Sequence, residues 1–146
     1  MTQRWLRIAA AFAPLLLPQP AAARTTFHDL SIEAAMNSPT GQAKLLKVPV
    51  YFSGQSHKAV ATELGEFTAN RRTNAFNKSD EEACQIAFLS AVISLQTRAQ
   101  QVGADTVIDV RSTTKHQNLA SATQYRCAAG TMVANVVLVG RMVKLK

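Results

Sequence analysis

Three histidines, two cysteines, one run of carboxylates and one pair of arginines are the residues of this chain whose chemistry could matter. His28, His57 and His116 stand alone. No H-x-H or H-E-x-x-H occurs and no carboxylate lies at ligand spacing, so a metal site would need these histidines to converge with Asp or Glu in space. Nucleophilic catalysis needs an activated Ser or Cys, and the chain has no G-x-S-x-G elbow. Ser53-Gly54 and Ser112-Thr113-Thr114 read as polar loop residues. Asp80-Glu81-Glu82 directly follows Ser79, which assigns these carboxylates to a helix start rather than to an acid/base pair. No glycine-rich run precedes Lys-Ser/Thr, so no phosphate-cradling loop is implied. Arg71 and Arg72 are candidate contacts for an anionic partner. Phe67 and Phe76 are too few to make an aromatic-interleaved basic stripe, and nucleic acid is not an expected partner. Each enzymatic reading fails on residue types, and no cofactor is expected.

The elements that would position these residues begin after an export signal. Arg4 and Arg7 precede an apolar run, Ile8 to Leu17, broken only by Pro14; Pro18 and Pro20 follow, then Ala21-Ala22-Ala23. A positive start, a short apolar stretch and small residues at the end make a cleavable signal peptide over residues 1–23. A membrane span needs about 20 apolar residues, so the run is too short for a permanent anchor. Cleavage after Ala23 leaves residues 24–146 as one domain without a transmembrane anchor, located in the periplasm. There, Cys84 and Cys127 meet oxidising conditions and read as one disulfide, the alternative being two free buried thiols. Loss of Arg4 and Arg7 takes the net charge from +7 to +5. The basic residues are scattered, with no run longer than two, which suits solubility before it suits any one acidic partner.

Along the mature chain, Thr25 to Asn37 reads as a short helix or turn capped by Ser31, stopped by Ser38-Pro39-Thr40-Gly41. Leu45 to Phe52 is a strand that Pro49 confines to an edge or a bulge, and Glu63 to Phe76 is a second, weaker strand. From Ser79, apolar residues recur at helical spacing through Cys84, Phe88, Ala91, Val92, Leu95, Ala99 and Val102, up to a C-cap at Gly103. Ile86, Leu89 and Ile93 widen that stripe to the breadth of a sheet. The opposite side (Gln85, Ser90, Gln96, Thr97, Gln100, Gln101) holds little charge, as either a solvated face or one covered in an assembly. Thr106 to Ser112 is a strand with Thr106, Ile108 and Val110 on one face and Val107, Asp109 and Arg111 on the other. Thr113 to Ala120 is a polar loop, Ser121 to Ala129 another strand, and Met132 to Val143 a last strand that is apolar on both faces. Such a strand belongs in the middle of a sheet or at a subunit interface, so a homo-oligomer is expected as one solution. The fold class is α+β: one long helix packed on a curved, mainly antiparallel sheet, with one disulfide.

The stretch Cys84-Gln85-Ile86-Ala87-Phe88 through Gly103-Ala104-Asp105-Thr106-Val107-Ile108, with Tyr125-Arg126-Cys127-Ala128-Ala129-Gly130 and Val136-Val137-Leu138-Val139-Gly140, resembles a group of small exported bacterial proteins often labelled "excinuclease ATPase subunit". Over residues 84 to 143 it is more distantly similar to the YbjQ-type fold, labelled heavy-metal-binding, and to the Rcs stress-sensing outer-membrane lipoprotein. The first resemblance implies an exported domain; the ATPase of its label has no Walker motif here to carry it. The YbjQ-type resemblance implies ring-like oligomers. The lipoprotein resemblance implies a disulfide-bonded envelope domain, from which this chain departs by lacking an anchoring cysteine. The expected function is a periplasmic, non-enzymatic binding or interaction module for a protein or envelope component. The alternative is a small-ligand or metal-binding envelope protein using His28, His57 or His116.

Overall fold

A computed structural model describes residues 13–18 and 24–146. The cleavage site after Ala23 and most of the expected signal peptide lie outside the described residues. Among the described residues no helix is long and apolar enough to cross a membrane.

The elements run β1 (Thr26–Ser31), α1 (Ile32–Met36), α2 (Pro39–Lys44), β2 (Val50–Phe52), β3 (Val60–Asn74), α3 (Asp80–Val102), β4 (Thr106–Ser112), β5 (Gln124–Ala129) and β6 (Val133–Leu145). One helix of 23 residues therefore lies on a sheet of six strands. Two departures from expectation refine the class. The sheet is mixed, because β2 runs parallel to β4 while the other pairings are antiparallel. Two short helices also join the long one, so the described chain has three.

Helix α3 forms as its sequence dictates. The Ser79 hydroxyl accepts the Glu82 amide at 3.1 Å, and Asp80, Glu81 and Glu82 fill the first turn where the helix dipole favours negative charge. Gly103 ends it in a left-handed conformation, φ 75°, which a residue without a Cβ adopts at no steric cost. Its buried stripe (Ala83, Cys84, Ala87, Phe88, Ala91, Val92, Leu95 and Ala99) packs on Val107, Val110, Tyr125, Ala134, Val136, Leu138 and Met142 of the sheet. Burying one Val, Leu or Phe fully is worth about 1.5–3 kcal/mol, so this single interface supplies most of the core. Phe88 stacks on Tyr125 with ring centroids 3.9 Å apart.

The polar side of α3 is covered in part by the chain itself. Gln96 is buried, accepts the Leu46 amide at 3.0 Å and donates to the carbonyls of Leu46 and Val48, each at 2.9 Å. These bonds satisfy the backbone of an irregular segment that no strand reaches.

Thr25 to Asn37 is strand then helix. Thr26–Ser31 pairs along β5, a long-range partner that local patterning does not reveal, and Ser31 does cap α1 by accepting the Ala34 amide. The Ser38-Pro39 stop after α1 also opens α2, with Ser38 as its cap and Pro39 in its first turn. In β4 the expected alternation breaks at Asp109, which has φ 57° and lies in a bulge between Ile108 and Arg111. The extra residue brings Val107 and Val110 both into the helix-side core.

Candidate functional site

Strand β6 explains the architecture of the side without the long helix, called here the outer face. Along one edge it pairs with β3 over nearly its whole length. Its other edge is shared: β5 takes Ala134 and Asn135, and β4 takes Leu138 to Val143. Between them Val136 and Val137 face a fork that neither strand fills. Side chains replace the missing ladder there. The Val137 amide donates to Thr114 Oγ1 at 3.0 Å, Thr114 Oγ1 donates to the Arg126 carbonyl at 2.8 Å, and the Arg126 amide donates to Ser112 Oγ at 2.9 Å. Thr114 is fully buried and Ser112 nearly so, as hydroxyls with this task must be.

This anchoring fixes the loop that follows. Lys115 (φ 48°) and His116 (φ 61°) both adopt left-handed conformations, each disfavoured for a residue with a Cβ. Strain of this kind persists only where surrounding structure imposes it, and here the imposing contacts are those of Thr113 and Thr114 on Val137. The loop lies over the outer face and forms one wall of a cleft of about 420 Å³ with Thr68, Asn70 and Arg72 of β3, Asn118, and Asn135 and Val137 of β6. A second cleft of about 400 Å³ continues toward Arg24, Gly130, Met132 and Val133, and shares Arg72, Lys115 and Asn135 with the first. The two make one groove. Asn135 is buried on its floor and donates to Asn70 Oδ1 at 2.7 Å and to the Arg71 carbonyl at 3.0 Å.

The groove is electrostatically one-sided. Arg24, Arg72 and Lys115 line it, and among the described residues no carboxylate does. The acids of the outer face are engaged elsewhere. Asp29 takes Arg126 in a two-point contact at 2.7 and 2.8 Å, and this holds its carboxyl below the usual range. Glu63 pairs with Arg141, which also reaches Asp109 at 3.5 Å, and Glu66 lies 3.6 Å from Arg111. Arg24 spans to Asp80 at 2.9 and 3.1 Å, and His28 Nε2 meets the same carboxylate at 2.8 Å. The hydrogen bonds from Arg24 and then His28 lower the Asp80 carboxyl to about 2. Arg72 and Lys115 make no ion pair among the described residues. Two cations sharing a groove without counter-charge raise the local concentration of anions.

The residues singled out in the sequence go to different places. Cys84 and Cys127 form the expected disulfide, with Cα atoms 5.8 Å apart and both residues fully buried. Arg71 and Arg72 part company, as neighbours on a strand must. Arg71 lies on the helix side and donates to Ser94 Oγ at 3.0 Å, whereas Arg72 lines the groove. His28 faces Asp80, His57 lies in the β2–β3 loop with Nδ1 donating to the Lys58 carbonyl at 2.8 Å, and His116 lines the groove. Among the described residues no three His, Cys, Asp or Glu side chains gather as metal ligands would. Thr114, Lys115 and Asn135 carry the site without a sequence signal: they belong to no motif, and only the fork in the sheet gives them a role.

A third cavity of about 380 Å³ lies beneath α1, walled by Ile32, Met36, Val50 and Phe52 with Glu33 as its single charge. Compared with protein-family models, curated proteins and solved structures, the chain matches none of them.

Proposed function

We propose that this chain is an exported, non-enzymatic binding module of the bacterial envelope, of the kind its second half resembles, and that the groove on its outer sheet face takes an anionic partner. The observation that carries this reading is the convergence of Arg72 and Lys115, neither ion-paired among the described residues, on one groove without a lining carboxylate. A buried threonine holding two left-handed residues over that groove supports it further. A binding rather than catalytic role fits the way the ionisable groups are used: Asp29, Glu63 and Asp80 each hold an arginine, and His28 holds Asp80. The disulfide and the signal peptide read from the sequence both suit the periplasm.

The test is a pair of charge-reversed variants with equal net charge. Arg72→Glu/Lys115→Glu reverses the groove; Lys44→Glu/Lys47→Glu reverses exposed cations on the segment that packs against α3. On immobilised heparin, a polyanion, the groove variant should elute at clearly lower salt than its control, because local rather than total charge governs the contact. Elution of both at the same salt would refute the groove as an anion site.

A further inference from the structure

Among the described residues of 24–146, four large apolar side chains are left exposed: Phe27 (41 %), Phe76 (55 %), Met132 (58 %) and Val133 (45 %). All four lie at one pole. Phe27 is opposite Ala128 in the β1–β5 ladder, Asn74 is opposite Val133 in the β3–β6 ladder, and the Ala75 amide donates to the Met132 carbonyl at 2.9 Å. Met132 and Val133 share their cleft with Arg24, Arg72 and Lys115. Asp29 and Asp80 are each occupied by an arginine, while Glu81 and Glu82 stand exposed in the first turn of α3, outside the residues that line the cleft. On its groove side the pole is thus an apolar tip beside Arg72 and Lys115.

We infer that this pole docks on an anionic lipid surface, with Arg72 and Lys115 against headgroup phosphates and Phe76, Met132 and Val133 below them. The inference rests on the anion reading of the groove and names the source of the anion. Apolar side chains at the rim of a cationic site suit a bilayer interface, where burial of apolar area and attraction to anionic headgroups act together. A soluble anion would use the cations and leave the apolar tip without a task.

The experiment uses the exported, processed protein and vesicles of phosphatidylethanolamine with phosphatidylglycerol, against vesicles of phosphatidylcholine. Sedimentation with the first and not the second is expected. Phe76→Ser, which lies outside the groove lining, should lower vesicle partition by about tenfold with retention on heparin unchanged, and Arg72→Glu/Lys115→Glu should lower both. Trp5 is the only tryptophan and lies in the leader, so Met132→Trp reports the tip alone and should shift its emission to the blue on anionic vesicles. Heparin retention without vesicle binding, or vesicle binding indifferent to Phe76→Ser, would overturn the lipid assignment while leaving the groove. Loss of both in the native protein would overturn the groove itself.

Discussion

Thr114 Oγ1 accepts the Val137 amide at 3.0 Å, at the point along β6 where neither β4 nor β5 is its partner. One hydroxyl thereby closes the fork of the sheet and sets the base of the loop that carries Lys115 and His116. Thr114→Val keeps the shape and removes the hydroxyl, leaving a buried amide and a buried carbonyl unpaired. The expected cost is about 1–3 kcal/mol, read from urea unfolding, with Thr114→Ser much closer to wild type. Heparin retention should fall in the valine variant at urea-free, fully folded conditions, since the loop loses its anchor. A valine variant with unchanged stability would show that the hydroxyl has no such role.

The bridge between Cys84 and Cys127 ties the first turn of α3 to β5 across a sequence separation of 43. Loop-closure entropy for this length corresponds to about 4 kcal/mol in the chain-entropy model. Cys84→Ser, or reduction, should lower stability by about 2–5 kcal/mol, and the native protein should take up no thiol reagent before reductant is added. Rapid labelling of both cysteines without reductant would contradict the bridge.

Asp80 predicts a specific acid sensitivity. Its carboxyl is lowered from 3.8 to about 2 in the folded protein, chiefly by the hydrogen bonds from Arg24 and His28. A depressed folded value means that the unfolded chain binds more protons between those limits. The contribution is therefore fully present above about pH 4 and is lost as pH falls toward 2. Asp80→Asn should flatten the urea midpoint across that window while leaving its slope at higher pH unchanged. Equal acid profiles for the two proteins would remove Asp80 from the account.

Processing is expected after Ala23, which makes Arg24, the residue clamped to Asp80, the first of the mature protein. N-terminal sequencing of the envelope form should begin at Arg24. Recovery of an intact Met1 from the same fraction would rule this out.

Much of the second half is legible in the sequence because its signals are local. Ser79, the acidic first turn, the apolar repeat and Gly103 specify α3 without reference to anything distant, and the doubly apolar Val136 to Val139 announce a central strand. Most of its apolar outer residues are covered by the chain itself: Val137, Val139 and Val143 are at most 9 % exposed, whereas Val133 at the strand's start is 45 % exposed. What escapes is what depends on distant partners. Thr26–Ser31 becomes a strand because β5 offers an edge, and the Asp109 bulge follows from fitting β4 to the core. The groove is hardest to read, since Arg24, Arg72, Lys115 and Asn135 come from four separate segments. Arg72 alone was marked by the sequence, and its neighbour Arg71 turns to the opposite face.

The central claim is that one groove, and not the basic surface at large, recognises the anion. An amide-resolved NMR titration of the mature protein with inorganic pyrophosphate tests it most directly. The account predicts saturable shifts confined to Asn70–Arg72, Thr113–Asn118 and Gly130–Asn135, with the strongest at Lys115 and His116, and their loss in Arg72→Glu/Lys115→Glu. Shifts spread evenly over the exposed lysines and arginines, or centred on Lys44 and Lys47, would contradict it.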